Sequence, residues 1–221
     1  MKAQRVSRSG RPKDNAKRDA IIAAAADLFS KMGFEAVAID AIAEQAGVSK
    51  MTIYSHFGDK ETLFENFVKS ISDEVNAALT SPTNRGVGLR EQLVTTGREF
   101  LTTILGPTAP GLFLSISAFH DNLPLAKRFY KAGPGRTRAA LVAIINDKVK
   151  RGELSVDRAE WAADDLIGLW DGGISAKIIF GVGGSIGKAE IERRANRAVD
   201  VFLQAYAPPA HNARFTLTDP S

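Results

Sequence analysis

The chain has 221 residues, 44% of them apolar and 24% charged, which is the balance of an ordinary soluble protein and enough for one large domain or two unequal ones. It contains no cysteine, which excludes disulfides and thiolate chemistry and suits a reducing cytoplasm. The net charge of +4 is unevenly placed: residues 1–18 carry seven basic side chains against the single carboxylate of Asp14, so the other 203 residues sum to −2. No run approaches the roughly 18 apolar residues of a membrane span, and no apolar stretch follows the basic N-terminus as in a secretory signal.

Residues 1–16 read as a basic flexible arm, broken by Ser7, Ser9, Gly10 and Pro12. Within it, Gly10-Arg11-Pro12 is expected to be extended, and with Arg8 it could lay arginine into a narrow minor groove. A helix is predicted over Lys17–Met32, with Ile21, Ile22, Ala25, Leu28 and Phe29 on one stripe and Gly33 as its stop. A second, short helix carries Ile39, Ile42, Ala43 and Ala46, and Gly47 ends it. Ser49 then caps a third helix over Lys50–Phe57. On a helical wheel Ile53 and Phe57 form its inward pair. Met51 and Ser55 point away, Thr52 and Tyr54 stand on the flanks, and Lys50 and His56 are lateral. Eight residues make a helix only about 12 Å long, which neighbours must hold in place. An exposed helix of that size suits the DNA major groove, about 12 Å wide.

Asp59 caps a longer helix reaching about Leu79, through Leu63, Phe64, Phe67, Val68, Ile71 and Val75. Residues 80–88 are a loop by composition. Beyond it every segment still has helical spacing: Leu89–Leu105, Pro110–Phe119, Pro124–Lys131, Arg136–Arg151, one long helix from Asp157 to Phe180, and Lys188–Tyr206. Gly133-Pro134-Gly135 is a break, the run from Gly181 to Gly187 a loop, and residues 208–221 a loose tail. The chain is predicted to be all-α.

Residues 17–68 resemble the DNA-binding domain of the TetR family of transcriptional repressors. The resemblance is carried by Ile22, Ala25, Phe29, Gly33, Ile42-Ala43, Ala46-Gly47-Val48-Ser49, Thr52-Ile53-Tyr54, His56-Phe57 and Lys60-Glu61-Thr62-Leu63. Further on, Phe129-Tyr130-Lys131-Ala132-Gly133-Pro134, the Arg151-Gly152-Glu153-Leu154 turn and Gly168-Leu169-Trp170-Asp171-Gly172-Gly173 resemble the C-terminal domain of the AefR-like branch. The resemblance implies a helix-turn-helix domain over 17–68, an effector-binding and dimerisation domain over 69–207, and a homodimer on a palindromic operator. By matched position it implies that Tyr54 and Lys60 contact phosphate, with Lys50, Met51, Thr52, Ser55 and His56 in or beside the groove. With Ser49 at the helix N-terminus and Arg8 and Arg11 from the arm, these form the expected DNA-binding set. Two positions depart from the family. Ala38 stands where Thr or Ser commonly caps the second helix, leaving those N–H groups to Asp40 or water. Met51 stands where Gly is common, adding an apolar group that could meet a thymine methyl or act only as a spacer.

Enzymatic readings find no catalytic set. His56 belongs to the third helix and His211 to the tail, while His120-Asp121 reads as a helix terminus rather than an acid–base pair. The Gly181–Gly187 run is spaced G-x-G-G-x-x-G after a helix, so it is not a dinucleotide fingerprint. Asp164 and Asp165, adjacent on a helix, cannot converge on one ligand. No cofactor, metal or membrane contact is expected.

The last two helices carry more apolar surface than one contact face needs, and Ile174, Ile178, Ile191, Val199 and Phe202 are candidates for a dimer interface. Filling the core of one subunit would use the same residues. Phe100, Ile104, Phe113, Ile116, Phe119, Phe129 and Trp170 are the candidate pocket for a small, mainly apolar effector, and core packing accounts for them equally. The expected function is a cytoplasmic, ligand-responsive repressor; the alternative is a DNA-binding regulator or architectural protein without an effector.

Overall fold

The computed structural model describes residues 11–80, 87–119, 122–182 and 186–208. Those residues form eleven helices and no strand, as the spacing predicts. In order they are α1 (Arg11–Ala36), α2 (Ile39–Ala46), α3 (Lys50–Phe57), α4 (Lys60–Thr80), α5 (Leu89–Leu105) and α6 (Ala109–Ala118). There follow α7 (Leu123–Ala132), α8 (Pro134–Lys150), α9 (Ala159–Asp171), α10 (Ile174–Ile179) and α11 (Lys188–Tyr206).

The chain folds into two compact units. One holds the described residues up to Ser70 together with Pro107–Ala132; the other holds Ile71–Gly106 and the residues from Gly133 onward. This division does not follow the expected 17–68 and 69–207, because α6 and α7 join the first unit.

In the first unit, α6 lies along α1 at close range. A Cβ at Gly111 would come within 1.9 Å of the Phe29 carbonyl oxygen, so only glycine permits this crossing. Ser115, buried in α6, accepts the Phe34 N–H at 2.8 Å and donates to the Gly111 carbonyl at 2.6 Å. The core is aromatic: Phe64 meets Phe29 edge-on at 5.0 Å and Phe129 at 4.7 Å, and Phe34 and Phe119 close the cluster. Edge-to-face pairs add about 0.5–1.5 kcal/mol each beyond the area they bury. Arg128 of α7 donates to Glu65 at 2.6 Å and to the Thr62 hydroxyl at 2.7 Å, tying α7 to the first turns of α4.

In the second unit α11 packs on α5 and α9, and α8 on α9. Leu93, Leu101, Leu141, Leu166, Trp170, Val199 and Phe202 make its core, all essentially without solvent contact. Arg90 donates to Asp200 and Asn196 at 2.9 Å, and Arg98 to Glu192 at 3.0 Å, pinning α5 to α11 along the rim.

Four local expectations change. Arg11 and Pro12 are already helical, because proline fits the first turn of a helix, where its missing N–H has no partner to lose. The Gly10-Arg11-Pro12 segment is therefore not extended at Arg11. The long helix expected over 157–180 is two helices, broken where Gly172 and Gly173 both take positive φ (50° and 80°). Its N-cap is Arg158 rather than Asp157. Pro134 starts α8 at the break itself, two residues before the expected start. The rest of the arm, Arg8 included, and residues 209–221 lie outside the described residues.

Candidate nucleic-acid interface

The site is built on α2, the turn after it, and α3. Gly47 leaves α2 in the left-handed conformation (φ 65°, ψ 35°), and its N–H returns to the Ala43 and Glu44 carbonyls. That conformation is open to glycine at no steric cost. Ser49 follows in extended conformation, and its Oγ accepts the Thr52 N–H at 3.2 Å, capping α3 as expected. Ile53 and Phe57 are buried, so α3 is held by the pair that the wheel assigned inward. Arg18 of α1 stacks its guanidinium over Phe57 at 5.3 Å.

The opposite face is open. Met51 is 75% exposed and Tyr54 46%, and Ser49, Lys50 and Ser55 are also exposed, with Thr52 partly so. Most polar groups on this face already have protein partners. Ser55 Oγ donates to the Thr52 carbonyl at 2.8 Å, and the Thr52 and Ser49 hydroxyls share a hydrogen bond at 2.9 Å. Lys50 Nζ pairs with Asp40 Oδ1 at 2.6 Å. His56 Nε2 lies 3.1 Å from Asp14 Oδ1, joining α3 to the start of α1.

Lys60 turns inward: its ammonium donates to the Glu35 carbonyl at 3.2 Å and stands 4.6 Å over the Phe34 ring. Burial holds that ammonium below the usual lysine range, with Glu35 and Glu61 opposing the shift. Asp59 caps α4 by accepting the Thr62 N–H at 2.6 Å. Ala38 is the N-cap of α2 and offers no side-chain hydrogen bond, and Asp40 is occupied with Lys50. The α2 N-terminus thus keeps N–H groups without a side-chain cap, the donors that attract an anion at a helix start.

Asp40, Asp14 and Arg128 belong to this arrangement and were not among the sequence candidates. Asp40 was visible only as a substitute cap, because its partner Lys50 comes close only after the Gly47 turn. Arg11 begins α1, and its side chain, like all of Arg8, lies outside the described residues.

The candidate effector residues do not form one group. Phe113, Phe119 and Phe129 sit in the first unit, where Phe119 and Phe129 pack ring to ring at 5.0 Å. Ile116 is in α6, its side chain outside the described residues. Phe100, Ile104 and Trp170 sit in the second unit, with Phe100 and Trp170 at 5.8 Å. A hollow of about 400 Å³ in the second unit is lined instead by residues such as Leu105, Ile174, Ile178 and Lys177. Trp170 Nε1 and Asn76 Oδ1 are buried without a hydrogen-bond partner among the described residues.

The dimer candidates need correction. Ile174, Ile191, Val199 and Phe202 are buried within this one chain and give a second copy nothing to touch; Ile178 is partly buried. Their stripe fills the core of the second unit. The large apolar side chains left exposed on α9, α10 and α11 are Trp161 and Leu169, Ile179, and Val201.

A short, braced helix presented after a tight turn, with its outer face open, defines a helix-turn-helix DNA-binding regulator. Residues 21–67 match the family model for bacterial regulatory proteins of the tetR family, and residues 91–208 match that for the C-terminal domain of AefR-like transcriptional repressors. The second match alone covers more than half of the chain. The chain belongs to the TetR family of transcriptional regulators, which are not enzymes. Among solved structures it is similar to the Flavonoid-responsive Regulator FrrA, 30% identical over 88% of this chain and 99% of that one, with a TM-score of 0.68. A TetR-family regulator from Mesorhizobium loti is 28% identical over 89% and 100%, with a TM-score of 0.74. Among curated relatives, the regulator YdeS of Bacillus subtilis is 41% identical over 70 residues, 31% of this chain and 35% of that protein. RutR of Escherichia coli K12 is 42% identical over 59 residues, 27% and 28%. The matches thus span about a third of those two proteins. Among the described residues no helix is long and apolar enough to cross a membrane.

Proposed function

We propose that the protein is a homodimeric repressor that leaves a palindromic operator when a small, mainly apolar molecule binds its second unit. The observation that carries this reading is the open face of α3. Met51, Thr52, Tyr54 and Ser55 face outward from a helix fixed by Ile53 and Phe57. In this reading α3 enters the major groove, Tyr54 and the helix N-termini hold phosphate, and Lys50 and His56 stand at the groove walls. Lys60 serves first as a brace under α4 and reaches phosphate only by leaving Glu35. The arm, with Arg8 and Arg11, adds sequence-independent affinity.

Two features support an effector in the second unit. A hollow of about 400 Å³ lined by residues such as Leu105, Ile174 and Ile178 gives a small molecule room there. The name of the flavonoid-responsive relative also favours an aromatic effector. The close ring packing of Phe64, Phe119 and Phe129 favours the alternative for the first unit: those rings are core, and that unit reads DNA without a ligand of its own.

The dimer face in this reading is the exposed side of α9 and α11, with Trp161, Leu169 and Val201, in place of the buried stripe. An effector acts only through a difference in its affinity for DNA-competent and DNA-incompetent states. Fluorescence anisotropy on a labelled operator, titrated with apolar aromatic compounds, tests the scheme. Release of DNA at the concentration where calorimetry finds ligand binding is expected; a tight ligand with no effect on operator affinity sinks it.

A further inference from the structure

Several polar side chains along the outer face of α3 are already engaged within the protein. Ser55 donates its hydroxyl to the Thr52 carbonyl, the Thr52 hydroxyl is shared with Ser49, and Lys50 is paired with Asp40. Among them Met51 is held 75% exposed, one residue into the helix. A single exposed apolar side chain is ordinary on a protein surface and needs no explanation by itself. The position is what matters: base edges are met by the first residues of a recognition helix. The major groove presents one apolar group, the 5-methyl of thymine.

We infer that Met51 reads a thymine methyl in each half-site, so that this helix selects the base pair at that place by apolar contact. The inference rests on α3 being the groove helix. It assigns the operator a T·A pair at a fixed place in both halves and makes Met51 the specificity-determining residue there. The flexible thioether suits the role, since it can follow a methyl group without demanding one rotamer.

The test begins by enriching operators from a random duplex pool with the full-length protein. Each thymine is then replaced by deoxyuridine, which removes the methyl and nothing else. Loss of one buried methyl corresponds to about a four-fold loss of affinity, and about fifteen-fold when both half-sites are changed. The wild-type protein is expected to show this at one position per half-site. Met51→Ala, on an exposed position where folding is not at stake, should lose about the same affinity on the thymine operator and become insensitive to uracil. Met51→Leu should keep the sensitivity. Placing 5-methylcytosine at that position should restore part of the binding lost when cytosine replaces thymine. An enriched operator with no methyl-sensitive position, or one equally sensitive with Met51→Ala, overturns the inference and makes Met51 a spacer while leaving α3 as the reading helix. Failure to enrich any sequence overturns both.

Discussion

Tyr54 and Asp59 show what a single residue contributes on either side of the α3–α4 turn. Tyr54 is nearly half exposed, and its hydroxyl has no protein partner among the described residues. In the proposed reading that hydroxyl holds phosphate, so Tyr54→Phe removes one hydrogen bond and no charge. Operator and unrelated DNA should then both bind about ten-fold more weakly, with an unchanged salt slope, in anisotropy titrations. A loss confined to the operator would make Tyr54 a base reader instead. Asp59 acts on stability. Its carboxyl is held below the usual carboxylate range, first by the hydrogen bond from the Thr62 side chain, against a smaller opposing effect of burial. With the folded value below the unfolded one, the stabilisation is complete above about pH 4 and is lost as the pH falls through the folded value. Asp59→Ala should therefore cost about 1 kcal/mol at neutral pH in urea denaturation, and the gap should shrink in acid. A gap that stays constant with pH would mean the ionised carboxylate is not what caps α4. Both caps, Ser49 and Asp59, were legible in the sequence because a cap is a contact three residues long. Lys50 with Asp40, His56 with Asp14 and Lys60 with Glu35 were not: their partners lie on other helices and meet only after the chain has turned.

At the scale of elements, helical spacing located the helices, with α9 and α10 merged into one, but could not name their neighbours. The α6 segment is apolar almost throughout, so nothing in its pattern distinguishes packing on α1 from packing in the other unit. The signal that it belongs with α1 is the pairing of Gly111 with the Phe29 backbone, which is visible only in three dimensions. The missed break between α9 and α10 was more local. Gly172-Gly173 sat inside an apolar run long enough to read as one helix, and two successive positive-φ residues are incompatible with that. A related close approach fixes α5 against α9. A Cβ at Gly97 would lie 2.3 Å from Trp170 Nε1, far inside contact distance. Alanine is favoured over glycine in a helix by up to about 1 kcal/mol. Overpacking a filled core costs about 1–3 kcal/mol, so the clash should win. Gly97→Ala is expected to lower stability by about 1–2 kcal/mol and to shift the buried tryptophan emission. An unchanged urea midpoint would show that α5 and α9 are not in this register.

For the whole molecule, the chain passes between its units three times: within α4, at Gly106-Pro107 and at Ala132-Gly133. The first passage is a continuous helix and the other two carry glycine next to proline, so α4 is the stiff connection by which an effector's choice of state could reach α3. Two copies of α3 are needed for that choice to matter. One eight-residue helix covers about 12 Å, whereas a palindrome is read by two helices about 34 Å apart. The stripe that the sequence offered for pairing is buried within this one chain, since periodicity reveals that a stripe is buried without revealing by which chain. Val199 and Val201 separate the two cases within a single turn of α11. Val199 is 0% exposed in the core of the second unit, and Val201 is 42% exposed beside Arg197 and Gln204 on the outer face. Val201→Glu places a charge on that face without disturbing the core. It is expected to give a monomer by light scattering at micromolar concentration, with unchanged helical circular dichroism and only non-specific DNA binding. Val199→Ala should do the reverse, costing roughly 1–3 kcal/mol of stability by cavity formation while leaving the dimer and its operator affinity intact. If Val201→Glu remains a dimer that binds its operator normally, the pairing face lies elsewhere, and the exposed side of α9 and α11 has another use.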